Sequence, residues 1–251
     1  MAAKPWGNRM TLADSAYARI RQDVVNGTLL PDHPLRLDAL KARYGIGYSP
    51  LREALNRLQS ERIVVAVPLR GFTVAPVSLE QMWDVIETRI HIESRALALS
   101  MQHGDDAWES EVVSTMHALL LQARRLAEQR DVSPEARQKL EDRHRSFHRA
   151  LIAACRSEWL LDFSAKLYVA SERYRHTALT GTAADGSQRD LQAEHRLLAE
   201  TAIARDAPRA LELLKTHYQE TGRHLERSMR QGSEGAAAAD GPSAEAGAVR
   251  G

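Results

Sequence analysis

Four of the chain's ten histidines sit at spacings that helices convert into one pocket. His144 and His148 are four apart in Glu141-Asp-Arg-His-Arg-Ser-Phe-His148, so a single helical face carries both. His195 and His217 flank a helix break expected at Asp206-Ala207-Pro208, eleven residues to either side of Asp206. In an antiparallel helix pair hinged there, equal arms bring the two imidazoles level, each about 16 Å from the turn at roughly 1.5 Å per residue. Two helical segments then offer two nitrogen ligands each, as metal sites inside helical bundles do. Imidazole nitrogen suits Zn, Ni, Cu or Fe, whereas Ca and Mg want hard oxygen ligands. The expected occupant is a divalent transition metal, Zn first and Ni second, with Glu141 one turn before His144 offering an oxygen. A cation with open coordination positions in a half-buried pocket draws a small carboxylate. A lone histidine on a helix is ordinarily a core or surface residue, and His91, His103, His117, His176 and His224 are read that way.

Composition bounds what can surround such a pocket. At 251 residues the chain has room for two domains with a core each. Residues 1–76 hold 11 Lys/Arg against 6 Asp/Glu, a charge of +5, while the remainder holds 23 against 27, a charge of −4. A basic head on a mildly acidic body suits nucleic-acid binding by the head alone. The single cysteine, Cys155, rules out an internal disulfide framework and fits a reducing cytosol. No stretch approaches the roughly 18 uninterrupted apolar residues of a membrane span, and no segment reads as a signal peptide. The expectation is a cytoplasmic protein with no membrane partner.

The elements that position these groups can be read in order. Leu12, Ala16, Ile20 and Val24 form an apolar stripe on a helix from Thr11 to Asn26, closed by Gly27. A short helix over Leu37 to Tyr44 ends at Gly45. Ser49 is expected to cap a third helix, with Pro50 at its first position and Leu51, Ala54, Leu55 and Leu58 facing inward. Ile63 to Val67, a turn at Pro68-Leu-Arg-Gly71, and Phe72 to Ala75 read as a two-stranded hairpin. That order is a winged helix-turn-helix over residues 10–76. Residues 78–231 are helical in pattern, with helices near 79–102, 106–131, 134–155, 157–180, 188–205 and 207–230, interrupted by a small-residue break from Thr180 to Gly186. The fold class is therefore mainly α, a winged head followed by an antiparallel bundle. From Gly232 the chain turns to Gly, Ala, Ser, Glu and Asp and is read as a disordered tail, 232–251.

A helix-turn-helix presents the start of its second helix to base edges in the major groove. Here that places Tyr48, Ser49 and Arg52, and Arg52 has the fork to meet guanine O6 and N7. Arg43, Arg57 and Arg70 are assigned to phosphates, and Gly71 at the wing tip lets the backbone approach the minor groove. Taken alone, Arg52-Glu53 is an ordinary solvated helical face; the complete order of elements favours the DNA reading.

The run from Leu40 to Leu58, Leu-Lys-Ala-Arg-Tyr-Gly-Ile-Gly-Tyr-Ser-Pro-Leu-Arg-Glu-Ala-Leu-Asn-Arg-Leu, followed by Arg70-Gly-Phe-Thr-Val74, resembles the GntR family of bacterial transcription regulators. The helical second part resembles the FCD ligand-binding domain of that family's FadR-type branch, so the likeness covers residues 12–230. In place of the family's usual Ser-Arg-Thr-Pro this chain has Gly47-Tyr48-Ser49-Pro50, so Tyr48 stands where an arginine commonly meets DNA. Metal-binding FCD domains carry Asp-x-x-x-His on one helix and a histidine on each of the last two. His148, His195 and His217 match those histidines, and His144 stands at the aspartate's position. The resemblance also implies that Arg89 lines the pocket and takes a carboxylate end through its planar fork. An ion pair with Glu93, four residues on, is an equal alternative for Arg89, and Arg173 and Arg175 are further ligand-binding candidates. The segment Arg143 to Leu161 is also similar to a subgroup regulating GABA, glutarate or other dicarboxylate catabolism. What the family implies is a homodimeric repressor on a two-fold operator, released by a small carboxylate. Two other functions stay open at this stage. One is a metal-dependent hydrolase using Glu194 or Glu141 as base, which lacks an obvious nucleophile or oxyanion motif and leaves the head unexplained. The other is a bundle that only dimerises the head.

Overall fold

In a computed structural model the described residues are 10–129, 131–180 and 189–239, the side chains of 176–180 and 232–239 excepted. Helix α1 (Leu12–Val25) starts from a capping box in which Thr11 and Asp14 satisfy each other's end of the first turn. Helices α2 (Leu37–Tyr44) and α3 (Tyr48–Ser60) follow, then strands β1 (Val64–Val67) and β2 (Gly71–Val74), paired antiparallel with Val64 opposite Val74. Gly45 ends α2 in the left-handed region, at φ 69°, where a Cβ would be strained. Ile20, Leu51, Leu55, Leu58 and Ile63 are fully buried between these elements, so the stripe read on α1 closes onto α3.

Two details differ from the sequence reading. The cap of α3 is Gly47, not Ser49, and Ser49 and Pro50 lie inside the first turn. All the first-turn N–H groups lack intrahelical acceptors, so a proline there costs nothing at either register. In addition, His33-Pro-Leu35 lies along β2, with a bridge from Pro34 to Thr73 and a Leu35 N–H bond to the Phe72 carbonyl at 2.8 Å.

The bundle consists of α4 (Leu79–His103), α5 (Asp106–Ala127), α6 (Pro134–Ile152), α7 (Glu158–Thr180), α8 (Leu191–Ile203) and α9 (Ala207–Ala239). Helix α4 runs through its middle and packs on α6, α7, α8 and α9. Ser133 caps α6 with Pro134 in the first turn, and Asp190 caps α8 by accepting from the Ala193 N–H at 2.9 Å. The break between α8 and α9 lies at Ala204–Asp206, with Arg205 at φ 60°. Arg205 is anchored there by the carbonyls of Met101 and Gly104, by Glu109 at 2.6 Å, and by the Trp108 ring at 4.6 Å. Helix α9 continues to Ala239, past the start of the tail at Gly232; its Ala236–Ala239 run has the highest helix propensity available. Residues 240–251, and all but the first residue of the break read at 180–186, lie outside the described residues. No described helix is long and apolar enough to cross a membrane.

Helix α9 approaches α4 closely at Gly222, where a Cβ would lie 2.7 Å from the Trp83 ring and 2.8 Å from Ile86 Cδ1. Gly222→Leu gains helix propensity of about 1 kcal/mol but overpacks a rigid indole. A net loss of about 1–3 kcal/mol in denaturant unfolding is expected from such overpacking. Unchanged stability would mean that the two helices part easily at this point.

Candidate functional site

The four histidines read from spacing converge in the bundle. Their ligand nitrogens, from α6 (His144, His148), α8 (His195) and α9 (His217), all lie within 4.8 Å of one another. Ring centroids are 4.5 Å apart for His144–His148 and 4.7 Å for His195–His217. His148, His195 and His217 are buried and His144 is partly so. Burial pushes all four imidazoles below the ordinary histidine range, His195 to about 3, so they are neutral near pH 7.

Outer partners decide which nitrogen faces in. His217 Nδ1 lies 2.8 Å from Glu194 Oε2, and Arg189 grips both Glu194 oxygens at 2.6 Å while donating to the His217 carbonyl at 2.9 Å. Burial alone would raise Glu194, but the His217 and Arg189 hydrogen bonds hold it down at about 2. An ionised Glu194 requires the proton on His217 Nδ1, leaving the Nε2 lone pair to the pocket. His148 Nδ1 lies 3.0 Å from the Tyr218 hydroxyl, whose own proton goes to Glu93, so His148 also donates outward from Nδ1. His195 bonds the Leu191 backbone, and its buried Nε2 has no partner among the described residues. His144 Nε2 lies 3.1 Å from His148 Nε2, and His144 Nδ1 lies 3.4 Å from the Tyr168 hydroxyl. The single proton between those two Nε2 atoms can move to His144 Nδ1, where Tyr168 can accept it, and a fourth lone pair then faces inward. An orphaned buried nitrogen and three partner-fixed neutral imidazoles fit a divalent transition metal.

The remaining expected residues divide. Glu141 is not in the ligand group; Arg175 Nη2 donates to it at 3.1 Å and the Tyr168 hydroxyl at 3.3 Å. Neither Glu141 nor Glu194 is a free base, since each carboxylate is held by an arginine. Of the two alternatives for Arg89 the structure has the ion pair, with Nε 3.0 Å from Glu93 Oε1. Its other nitrogens donate to Ser171 and Tyr218, both at 3.0 Å, so each nitrogen of its fork already has a partner. Arg175 donates to Ser171 and Glu141, both at 3.1 Å, over the Tyr168 ring, but its buried Nε has no partner among the described residues. Arg173 points away from the pocket to the carbonyls of Arg62, Ala75 and Pro76. Tyr168, Ser171, Arg189 and Tyr218 were not singled out from the sequence; Tyr218 directly follows His217, the one local signal available.

At the head, Ser49 and Arg52 are exposed on the first turns of α3. Tyr48 is half exposed; its hydroxyl donates to Asp38 at 2.6 Å and Lys41 lies 4.7 Å over its ring. Arg70 and Gly71 are exposed at the wing, Gly71 at φ 86°. Arg43 and Arg57 are exposed and pair with Asp23 and Asp14 of α1 at 2.8 and 2.7 Å. Those partners are 20 and 43 residues away, beyond any local pattern.

Comparison with known proteins finds two family matches along the chain. Residues 12–74 match the gntR family of bacterial regulatory proteins, and residues 84–220 match the FCD domain. The HTH-type transcriptional regulator BphR of Paraburkholderia xenovorans (strain LB400) is 39% identical over 216 residues, 86% of this chain and 85% of BphR. The HTH-type transcriptional repressor GlaR of Escherichia coli (strain K12) is 33% identical over 202 residues, 80% of this chain and 90% of GlaR. The solved structure of E. coli McbR/YncC shares the fold, with TM-score 0.71 at 19% identity over 88% of this chain and all (100%) of that one.

Proposed function

This chain belongs to the gntR family of bacterial regulatory proteins and carries an FCD domain, and on that premise we propose that it is a metal-loaded repressor released by a small carboxylate. It is a transcription regulator; the winged head binds operator DNA and the helical domain senses. The observation that supports the sensing reading is the set of four imidazoles, three buried and one partly so, whose ligand nitrogens lie within 4.8 Å, one of them without a partner among the described residues.

Nitrogen-only donors favour Zn or Ni, and His144 in place of a carboxylate leaves a bound divalent ion with its full charge. Bound there, the ion supplies a Lewis-acidic centre for an anionic oxygen. The effector's second contact falls to Arg175. Its Nε and Nη2 form one edge of the fork, yet only Nη2 is used, by a partly exposed Glu141. An incoming carboxylate takes both donors side-on and displaces Glu141. Arg89 stays with Glu93. Regulation is then a population shift: a carboxylate that prefers one bundle arrangement changes how two heads of a homodimer meet a two-fold operator.

The test is operator affinity of untagged, Zn-loaded protein for DNA from its own promoter region, titrated with C3 to C6 mono- and dicarboxylates. One or more should weaken binding; indifference to all of them defeats the carboxylate reading. Arg52→Ala is expected to lose about 1–3 kcal/mol of discrimination, with little change on random DNA. Arg70→Ala should weaken all DNA alike and reduce the salt slope by about 1. Equal losses on operator and random DNA for Arg52→Ala would remove it from the base-reading set.

A further inference from the structure

Helix α7 carries two sets of contacts within two turns. Tyr168, Ser171 and Arg175 face the histidine pocket: the Tyr168 hydroxyl meets His144 Nδ1 at 3.4 Å, and Ser171 Oγ accepts from both Arg89 and Arg175. Val169, Glu172 and Arg173 face the head. Val169 is buried in the head's own apolar cluster, and Glu172 forms a half-buried ion pair with Arg21 of α1. Arg173 is buried and donates to the Arg62 carbonyl at 3.1 Å, the Ala75 carbonyl at 2.9 Å and the Pro76 carbonyl.

Those three carbonyls lie at both roots of the wing. Arg62, at φ 58°, is the turn from α3 into β1, and Ala75-Pro76 is the exit from β2 toward α4. A planar guanidinium with five N–H donors can hold two such strands of backbone together, whereas a lysine offers one point charge. The pocket face and the wing face are separated by one or two residues along a rigid helix rising about 1.5 Å per residue. Any turn or shift of α7 on one side is therefore imposed on the other.

We propose that Arg173, supported by the Arg21–Glu172 pair, is the positioning residue that fixes the wing on the bundle, and that α7 passes occupancy of the histidine pocket to the wing through it. This rests on the four histidines holding a metal. Changes at the pocket reach α7 through Tyr168, which meets His144, and through Arg175. Arg173, two residues before Arg175, carries them to the roots of β1 and β2. A purely structural role for Arg173 predicts a looser wing in its variants but no change in how the wing responds to the pocket.

Amide hydrogen exchange of the full-length, untagged protein with and without zinc separates the two. In the wild type, zinc should slow exchange in α7 around 168–175 and in the wing at 64–74, the latter on the order of tenfold, a usual size for coupling between sites. In Arg173→Met, zinc uptake and the slowing in α7 should persist while the wing response falls below about twofold. Arg21→Gln should reduce the response partially, and Arg173→Lys should fall between Met and Arg; these milder variants carry the test if Arg173→Met does not fold. A wing that responds to zinc undiminished in Arg173→Lys, Arg21→Gln and any folded Arg173→Met overturns the proposal, as does a wild-type wing indifferent to zinc while α7 responds. Failure of the wild type to take up zinc is a different result, which brings down the metal reading and the relay with it.

Discussion

Glu93→Ala should destabilise the protein by about 3–5 kcal/mol, the cost of leaving a buried charge without its partner. Glu93 is 1% exposed and sits at the centre of a closed network. Its Oε1 accepts from Arg89 Nε and from Ser164, both at 3.0 Å, and its Oε2 accepts from Tyr218. Burial by itself would pull Arg89 down, but the charge of Glu93 and the neighbouring Tyr218 outweigh it and hold the guanidinium above its ordinary value. Removing the carboxylate strands that guanidinium in the bundle core. Replacing the pair together, Arg89→Met with Glu93→Leu, should recover most of the loss, because apolar substitutes of similar volume carry no desolvation cost. Glu93→Gln is the informative intermediate. It keeps an acceptor for Arg89 but puts an amide N–H where Tyr218 donates, and Tyr218 fixes the proton on His148 Nδ1. Its metal affinity should therefore fall by roughly 10–100-fold, the range for outer partners of a ligating histidine. Guanidinium unfolding followed by far-UV dichroism measures the first effect and a chelator competition the second. A Glu93→Ala loss under about 1 kcal/mol would place the pair with ordinary exposed ion pairs.

The histidine pocket was legible because its spacing is local. A separation of four fixes His144 and His148 on one face of α6, and equal arms about Asp206 level His195 with His217 whatever surrounds them. The winged head was legible for the same reason, through the stripe of α1 and the glycines after α1 and α2. What was not legible depended on partners distant in sequence. Arg43 and Arg57 have the exposure of phosphate contacts, and only the packing of α1 brings Asp23 and Asp14 to them. Arg173 and Arg175 are separated by helix periodicity itself. Two residues apart on a helix, at about 100° per residue, they lie on nearly opposite faces and cannot both line one pocket. Which of the two faces inward depends on how α7 is rotated, and its packing on α4, on α9 and, through Val169, on the head fixes that together. The choice between the two readings of Arg89 likewise rested on Ser171 and Tyr218, 82 and 129 residues away.

Untagged wild-type protein should bind one zinc or nickel per chain, and His148→Ala with His195→Ala should bind none. Losing two of four inward nitrogens removes more than any outer partner does, so a drop beyond 100-fold is expected. The pH dependence sharpens this. In the chelated protein the folded imidazoles stay neutral well below the unfolded histidine value of 6.5, His195 down to about 3, because burial disfavours their charged form. Between those values the unfolded chain binds more protons than the folded one, so stability rises with pH across the window and is lost as pH falls from 6.5 toward 3. At about 1.4 kcal/mol per unit, His195 alone accounts for on the order of 5 kcal/mol over the full window. Zinc at 100 times its dissociation constant adds about 2.7 kcal/mol at neutral pH. Because protons bind these nitrogens weakly in the folded protein, zinc affinity should hold nearly constant from pH 8 to pH 6, where exposed histidines already lose theirs. Thermal unfolding of the chelated protein at pH 7 and pH 5 gives the first slope, and zinc titrations at the same pH values give the second. A melting temperature unchanged between those pH values after chelation would mean that the imidazoles protonate freely in the fold, and the constancy of zinc affinity expected between pH 8 and pH 6 would fall with it.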